Sequence, residues 1–281
     1  MKRIYDFGRR PANRNYTVAD LQALKGSGER LSMSNPKDAT EIRACVEAGI
    51  DLFVIWDNQV EEARRIAPTH FMGTGMTWAQ YATADEILAN ALDRMEKGAD
   101  MYYTLRSYDI LEMLAKEGIP VHSHIGLIPT FSHWCGGLRA WGRTADEAME
   151  VYRTLKRMED AGVFAVEVEC IAEEVLQVVN DRTSIVTFSL GSGNAGDAVF
   201  LFVADICGED SEEDTPPRHA HAFGDLGRLH RQMHEERVAA LKAFHTDVTG
   251  KRFPYPEQCI TMRPNEQEKF LEALDREQVA I

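Results

Sequence analysis

Short apolar runs alternate along the chain with longer amphipathic stretches. Stretches such as EIRACVEAGI, ILEMLAKEGI and AMEVYRTLKRMEDAG have helical periodicity, and each is followed by a short run of mainly apolar residues. Each stretch ends near a glycine, which suits the left-handed conformation that terminates a helix. The runs that follow are typical of buried parallel strands. The pattern therefore predicts a repeated strand–helix architecture.

The repeat predicts eight strands, near residues 31–34, 51–56, 71–75, 101–105, 120–125, 164–169, 184–189 and 199–205. Helices are expected between most of them. Thr83 with Glu86, and Thr144 with Glu147, match the capping-box pattern of a helix start. Eight strands alternating with helices favour an α/β fold in the form of a closed (β/α)8 TIM barrel. A doubly wound open sheet is the alternative.

The two ends of the chain differ from this repeat. Residues 1–25 are predicted to form an N-terminal arm, and residues 208–222, GEDSEEDTPPRHAHA, a flexible acidic loop. A long helix is expected at about 223–246, and the segment PNEQEKFLEALDREQ predicts a final helix. We therefore expect one (β/α)8-barrel domain over residues 1–281, with an arm before the barrel and helices after it.

Composition limits the classes of partner. The 281-residue chain has a formal net charge of −14, which disfavours binding to nucleic acid or to an anionic membrane. It has no apolar run of the roughly 18 residues that a membrane-spanning helix needs. Its five cysteines form no CxxC pair, and the opening residues lack the apolar run of a secretory signal. These features predict a cytoplasmic protein with reduced thiols.

Polar residues stand at the ends of several predicted strands, where barrel enzymes carry their chemistry. They are Asp57, Tyr103, His122, His124, Glu167 and Glu169. Residues two apart on a strand share a face, so the two histidines form one pair and the two glutamates another. If both pairs point into the barrel, imidazoles lie beside carboxylates, which is an arrangement suited to acid–base catalysis. The alternative is that one member of each pair is structural, or that a face points towards the helices.

Two further motifs are open to a functional or a structural interpretation. The segment GSGNAGDA at 191–198 could bind an anion through backbone N–H groups, or it could be an ordinary turn between elements. His219 and His221 lie in the acidic loop, where a zinc site is one interpretation and a solvated loop is the other.

From PVHSHIGLIPT onward, the chain resembles the ketopantoate hydroxymethyltransferase (3-methyl-2-oxobutanoate hydroxymethyltransferase) family of the phosphoenolpyruvate/pyruvate barrel superfamily. The segments that carry the resemblance are GGLRAWGRTADEA at 136–148, VEVECIAEEV at 166–175, GSGNAGDAVFLFVAD at 191–205 and KAFHTDVTGKRFPYPEQ at 242–258. Upstream, AGIDLFVIWDN and YATADE are also similar to the family. The resemblance spans residues 31–258 and occurs in the same order along the chain.

This resemblance implies a transferase of pantothenate biosynthesis. Such an enzyme takes a small 2-oxo acid to its enolate and adds a hydroxymethyl group from 5,10-methylenetetrahydrofolate, with aldol-type chemistry. A divalent metal, Mg²⁺ by resemblance, holds the oxo acid and acts as a Lewis acid. The resemblance also implies a homo-oligomer, since members of the family assemble as large rings that are often decamers.

The resemblance assigns roles to individual residues. It places the catalytic base at Glu169 and the catalytic histidine of the fifth strand at His124. It places substrate contacts at Asp57 and Asn58, and Asp57 is also the metal contact. Tyr103 stands where the family has the lysine that binds the oxo acid, so it is a further candidate for substrate binding.

Several family positions are changed in this chain. Gly75 and Leu105 stand where the family has an Asp and a Glu associated with the metal. His122 and Glu167 are polar where the family has small or apolar residues, so His122 is a candidate substrate contact and Glu167 a candidate metal ligand. One interpretation is a rebuilt site that holds Zn²⁺, Mn²⁺ or iron through His122, His124, Glu167 and Glu169. It would serve a lyase or hydrolase acting on a different small acid. The other interpretation is a non-catalytic protein.

Overall fold

The computed structural model describes residues 1–75, 80–209 and 217–278. Its contacts divide the chain into two compact units, Met1–Asp225 and Leu226–Ile281. The extent of the predicted single domain stays a prediction.

The first unit opens with a small hairpin where the sequence predicted an arm. Strand β1 (Lys2–Tyr5) pairs antiparallel with β2 (Pro11–Arg14), and a short helix α1 (Val18–Gln22) follows. Thr17 and Asp20 form a complete capping box at the start of this helix. At the end of the hairpin, the buried Arg14 donates from Nε to Oδ1 of Asp100 at 2.9 Å. Because Asp100 directly precedes a barrel strand, this ion pair fixes the hairpin to the N-terminal end of the barrel.

The centre of this unit is a closed barrel of eight parallel strands. They are β3 (Leu31–Ser34), β4 (Leu52–Trp56), β5 (Phe71–Gly75), β6 (Met101–Tyr103), β7 (Val121–Gly126), β8 (Ala165–Glu169), β9 (Val186–Leu190) and β10 (Ala198–Phe200). The strands are paired in chain order, and β10 pairs in parallel with β3 to close the ring. The predicted TIM barrel is confirmed, and the open-sheet alternative is wrong.

Helices follow most strands and cover the outside of the barrel. They are α2 (Ala39–Ala48), α3 (Val60–Ile66), α4 (Ala84–Glu96), α5 (Tyr108–Lys116), α6 (Ala145–Asp160), α7 (Glu173–Asn180) and α8 (Val203–Cys207). Short 3₁₀ turns lie at Asp57–Gln59 and Pro129–Trp134. Thr83 and Glu86 form the predicted capping box. Thr144 caps α6 by accepting from the Glu147 N–H, but the Glu147 carboxylate accepts from Arg139 and from the Arg143 backbone instead.

The last strand–helix unit departs from the prediction. The strand expected at 199–205 ends at Phe200, and α8 begins at Val203. A continuous apolar run does not by itself distinguish a strand from a buried helix, which explains the error. The connection from β9 to β10 is a turn without a helix, with Gly191 and Gly193 at positive φ of 68° and 82°.

Two hydrophobic layers set the direction of each strand side chain. Ala165 on β8 belongs to the layer inside the barrel, together with Phe71, Met101 and Phe188. Val166 and Val168 on the same strand belong to the layer between the strands and the helices. Side chains alternate along a strand, so Glu167 and Glu169 point into the barrel with Ala165. The apolar layer below them closes the interior, which is therefore not a pore.

The second unit contains α9 (Leu226–Thr249), a 3₁₀ turn (Pro256–Gln258) and α10 (Glu266–Gln278). Both predicted C-terminal helices are thus present. The predicted acidic loop falls partly on residues 210–216, which lie outside the described residues. None of the helices in the described part of the chain has the length and apolar character needed to cross a membrane.

Candidate active site

Four ionisable side chains meet where β7 and β8 end. The register places His124 opposite Glu167 and Gly126 opposite Glu169. His122 and His124 are 0% and 4% exposed, and Glu167 and Glu169 are 7% and 9% exposed. Both pairs thus face inward, and the imidazoles lie beside the carboxylates as the sequence pattern predicted. Ionisable groups are seldom buried this deeply unless they are paired.

The imidazole of His124 lies between the two carboxylates. Its Nδ1 is 3.1 Å from Oε2 of Glu167, and its Nε2 is 3.1 Å from Oε2 of Glu169. The hydroxyl of Tyr103 is 3.2 Å from the same Nδ1. The contact of Nε2 with Glu169 lacks hydrogen-bond geometry, and within the described residues Nε2 has no hydrogen-bond partner. A buried donor therefore remains next to the Glu169 carboxylate.

Charges around His124 keep its ring protonated. Burial lowers the pKa of His124, but the close contacts with the negatively charged Glu167 and Glu169 outweigh burial and raise it to about 9. Burial raises the pKa of Glu167, but contact with His124 brings it below its ordinary value. At neutral pH, the two side chains form an imidazolium–carboxylate ion pair.

His122 has a different environment. Burial lowers its pKa to about 4, with partial compensation from Glu167, whose Oε1 is 3.8 Å from His122 Nε2. Its ring contacts Tyr103 and Phe188 edge-on, at centroid distances of 5.0 and 5.1 Å. Among the described residues, neither of its nitrogens has a hydrogen-bond partner. An unsatisfied buried polar group costs about 1–3 kcal/mol, so the cluster is not arranged for stability alone.

Tyr103 contributes a neutral phenol to the cluster. Burial, with added effects of Glu167 and Glu169, holds its pKa well above the ordinary value. Because both nitrogens of a protonated His124 are donors, the phenol oxygen accepts from Nδ1.

Asp57 and Asn58 lie apart from this cluster. Both fall in the 3₁₀ turn after β4, and Asn58 is exposed. Oδ2 of Asp57 accepts from Nε2 of Gln80 at 3.1 Å and lies 3.8 Å from Nε of Arg94. These contacts direct the carboxylate towards α4 rather than towards His124. The predicted substrate roles of Asp57 and Asn58 stay predictions.

The divalent metal that the resemblance implies does not fit the donor groups of this chain. Among the described residues, no three His, Cys, Asp or Glu side chains are arranged to hold a metal ion. The predicted Zn²⁺, Mn²⁺ or iron site on the four-residue cluster stays a prediction, and in the structure those side chains face one another as ion pairs. Asp57 already has a cationic partner in Arg94.

Gly75 stands where the resemblance places a metal-associated Asp, and the structure leaves no room for a side chain at this position. A Cβ atom built on Gly75 would lie 2.2 Å from the backbone oxygen of Tyr103 and 2.5 Å from its Cβ. Any side chain at this position would require the backbone of β6 to move. Leu105, at the other changed position, is apolar and lines a neighbouring cavity.

A contact that the sequence did not indicate lies directly after Glu169. Cys170 has a left-handed φ of 50°, and its Sγ is 3.5 Å from Nδ1 of His219. The His219 ring lies against Gly191, where an added Cβ would approach its Cγ to 2.7 Å. The segment after the acidic loop thus reaches the same end of the barrel as Glu169. These partners are 49 residues apart, so spacing gave no signal for them.

The glycine-rich segment at 191–198 has the contacts of a turn. Ser192 Oγ donates to the Val168 carbonyl at 2.7 Å and accepts from the Ile171 N–H at 2.9 Å. Ser189 Oγ donates to the Gly193 carbonyl at 2.6 Å. These bonds connect β8 and β9 internally, which favours the structural interpretation over an anion site.

A cavity of about 540 Å³ lies on the helix side of β7, between this strand and helices α5 and α6. Its lining includes Leu111, Ile125, Val151 and Met158, which belong to the layer between the strands and the helices. Since side chains alternate along β7, the inward-pointing His124 side chain lies on the other face of the strand.

Fold and cluster together define an α/β barrel with buried ionisable side chains at the carboxyl ends of its strands, where enzymes of this fold carry their active sites. The sequence profile of ketopantoate hydroxymethyltransferase matches residues 58–256. A 3-methyl-2-oxobutanoate hydroxymethyltransferase from Hyperthermus butylicus is 32% identical over 280 residues, covering 90% of this chain and 93% of that protein. A protein of Methylibium petroleiphilum, 3-methyl-2-oxobutanoate hydroxymethyltransferase 1, is 27% identical and covers 95% of this chain and 96% of that protein.

The chain belongs to the ketopantoate hydroxymethyltransferase family, and it is a transferase. A candidate phosphonomutase from Burkholderia cenocepacia J2315 shares the fold, with a TM-score of 0.50 and 11% identity, over 81% of this chain and 100% of that one. This structural similarity supports the barrel fold and no functional conclusion. The comparisons do not favour the lyase, hydrolase and non-catalytic alternatives.

Proposed function

We propose that this chain forms the enolate of 3-methyl-2-oxobutanoate, or of a closely similar 2-oxo acid, and transfers a hydroxymethyl group to it. The observation that carries the proposal is the position of His124 between two buried carboxylates at the end of β7 and β8. The names of the relatives support the substrate class.

Glu169 is the proposed base. Its carboxylate takes the proton from C3 of the oxo acid, the C–H electron pair forms the C2=C3 bond, and the carbonyl pair moves to oxygen. His124 polarises that oxygen from Nε2, which has the required unmade hydrogen bond. The proposed one-carbon donor is 5,10-methylenetetrahydrofolate: water adds to its methylene carbon, the two C–N bonds of that carbon break, and tetrahydrofolate leaves a formaldehyde unit. The enolate carbon attacks this carbon, and the carbonyl oxygen of the formaldehyde unit takes up a proton to become the hydroxyl group.

Substrate contacts are proposed for Tyr103 and His122 within the cluster, and for Asp57 and Asn58 in the 3₁₀ turn after β4. A cytoplasmic location, a role in pantothenate biosynthesis and homo-oligomeric assembly, up to a decamer, also remain proposals that rest on the family.

Exchange of the C3 proton tests the proposal without requiring the one-carbon donor. The protein is incubated with 3-methyl-2-oxobutanoate in D₂O, with and without divalent metals, and deuteration at C3 is followed by NMR. We expect exchange in the wild-type protein and a loss of about 10³-fold in Glu169→Gln, since a positioned base contributes about 10²–10⁴-fold.

The matched control is Glu159→Gln, on α6, where the carboxylate binds Ser184 at the surface. This variant should exchange at the wild-type rate. No exchange by the wild-type protein with any small 2-oxo acid, under any metal condition, would contradict the proposed function.

A further inference from the structure

We propose that this chain stabilises its enolate with the His124 imidazole, fixed in place by Glu167, instead of with a divalent metal. The inference rests on the proposed function, because it concerns the same abstraction of a proton by Glu169. It assigns Glu167 as a positioning residue that acts through His124.

The first observation is that the oxygen ligands for a metal are missing or engaged. Gly75 has no room for a side chain, because Tyr103 lies against it. Leu105 is apolar, and the Asp57 carboxylate lies 3.8 Å from the Arg94 guanidinium. Magnesium usually requires one or two carboxylates in addition to substrate and water. Among the described residues, no group of three or more His, Cys, Asp or Glu side chains is arranged to hold a metal ion.

The second observation is that a hydrogen-bond donor is already present where enolate charge would develop. Nε2 of His124 is buried, has no hydrogen-bond partner among the described residues, and lies 3.1 Å from the Glu169 carboxylate. A substrate oxygen placed against Nε2 brings C3 close to the proposed base. Donors directed at a developing oxyanion in a buried site lower the barrier without reorganisation.

The third observation is that Glu167 determines where Nε2 points. Glu167 Oε2 lies 3.1 Å from Nδ1 on the opposite side of the ring, and Oε1 lies 3.8 Å from His122. A carboxylate on one imidazole nitrogen fixes the orientation of the ring and stabilises its charged form. Tyr103 contacts the same nitrogen at 3.2 Å and adds a second restraint.

The changed positions therefore form one connected arrangement. Gly75 makes room for Tyr103, Tyr103 contacts His124, and Glu167 contacts both histidines. Substitutions accumulated independently during a loss of function would not be expected to contact one another in this way. A phenol and a second protonated donor beside a carboxylate base are sufficient to hold an enolate in other enzymes.

The chemical step balances without a metal. The C3 proton goes to Glu169, and the electron pair of the broken C–H bond forms the C2=C3 bond. The carbonyl electron pair goes to oxygen, where the Nε2–H of His124 donates a hydrogen bond. No oxidant, reductant or further reactant takes part in this step.

Metal dependence of C3 exchange is the primary test. The full-length protein is dialysed against a chelator, its metal content is measured, and exchange of 3-methyl-2-oxobutanoate is followed before and after adding Mg²⁺, Mn²⁺ or Zn²⁺. We expect exchange in the stripped protein, changed by less than about tenfold on adding any of the ions, since a Lewis-acid metal would change it far more. Exchange that requires an added ion would overturn the inference while leaving the proposed function intact.

Glu167 variants test the positioning role in the stripped protein. Glu167→Gln should lower kcat for exchange about 100-fold with little change in KM, because a misdirected oxyanion donor costs about 10²–10³-fold. Glu167→Asp should restore part of the lost rate, and Glu159→Gln should behave as wild type. Exchange by a folded Glu167→Gln at the wild-type rate would overturn the inference. If Glu167→Gln does not fold, a Glu167→Asp variant with wild-type kcat would overturn it too.

Discussion

Each end of the barrel buries one charged side chain between two side chains of opposite charge, but the two clusters differ in whether all their hydrogen bonds are made. At the N-terminal end, Asp100 accepts from Arg14 at 2.9 Å, from Arg64 at 2.7 Å and from the Met72 N–H at 3.0 Å. At the C-terminal end, His124 lies between Glu167 and Glu169, yet its Nε2 hydrogen bond is unmade.

The difference separates a structural cluster from a chemical one. Around Asp100, both carboxylate oxygens have hydrogen-bond donors, so the cluster has no position left for a ligand. Around His124, buried donors remain without partners among the described residues. Buried polar groups are nearly always satisfied in native proteins, and an exception calls for a functional explanation. The comparison predicts that substitutions at the two ends affect different properties.

Asp100→Asn should have the largest effect on stability. It leaves Arg14, which is 2% exposed, and Arg64 without their negative partner, and an unpaired buried charge costs about 3–5 kcal/mol. Urea unfolding should show this loss, whereas C3 exchange per folded molecule should be unchanged. The control is Asp93→Asn, which removes an exposed pair with Lys97 and should cost at most about 1 kcal/mol. Equal losses in the two variants would contradict the structural role of Asp100.

Tyr103→Phe should have a smaller effect, and on catalysis rather than stability. It removes the hydroxyl that contacts His124, and we expect C3 exchange to fall about tenfold, less than the roughly 10²–10³-fold cost of removing an oxyanion donor, because the hydroxyl acts through His124.

Its neighbour on β6 provides a matched control. The Tyr102 hydroxyl donates to Asn90 on the helix side of the barrel, so Tyr102→Phe removes a buried phenol away from the cluster. That variant should lower stability modestly and leave exchange unchanged. A similar loss of exchange in both variants would mean that Tyr103 acts through packing and not through its hydroxyl.

The smallest expected effect is the change in the rate of C3 exchange between pH 7 and pH 9. His124 must be protonated to donate from Nε2, and its pKa is raised to about 9, so exchange should fall only as pH rises through about 9. The folded pKa exceeds the ordinary 6.5, so the contribution of His124 to stability is complete below pH 6.5 and is lost as pH rises through about 9. Rate–pH and urea-unfolding profiles measure both. A fall in rate centred near pH 6.5 would contradict the ion pair.

The barrel could be predicted because its signals are local. Glycine-terminated amphipathic stretches and short apolar runs gave the order of strands and helices, and Gly49 ends α2 at a left-handed φ of 79° as expected. The final strand was predicted too long because the run at 198–205 is apolar both in β10 and in the start of α8. Periodicity does not resolve such short segments.

The site was predictable only where strand geometry determines it. Two-residue spacing placed the two histidines on one face and the two glutamates on one face, but it left open whether those faces point inward. The structure shows that both do, and the parallel register of β7 and β8 brings His124 and Glu169 together. Asp57 was expected beside them, but the 3₁₀ turn that begins at this residue directs its carboxylate to Gln80 and Arg94. The contact of Cys170 with His219 depends on a loop path that no local pattern encodes.

The most direct measurement is C3 deuteration of 3-methyl-2-oxobutanoate by the wild-type protein and by Glu169→Gln, side by side in metal-stripped D₂O buffer. The account predicts exchange by the wild-type protein and a rate about 10³-fold lower in the variant, as expected for loss of a positioned base. Equal rates in the two proteins would contradict the assignment of this cluster as the active site.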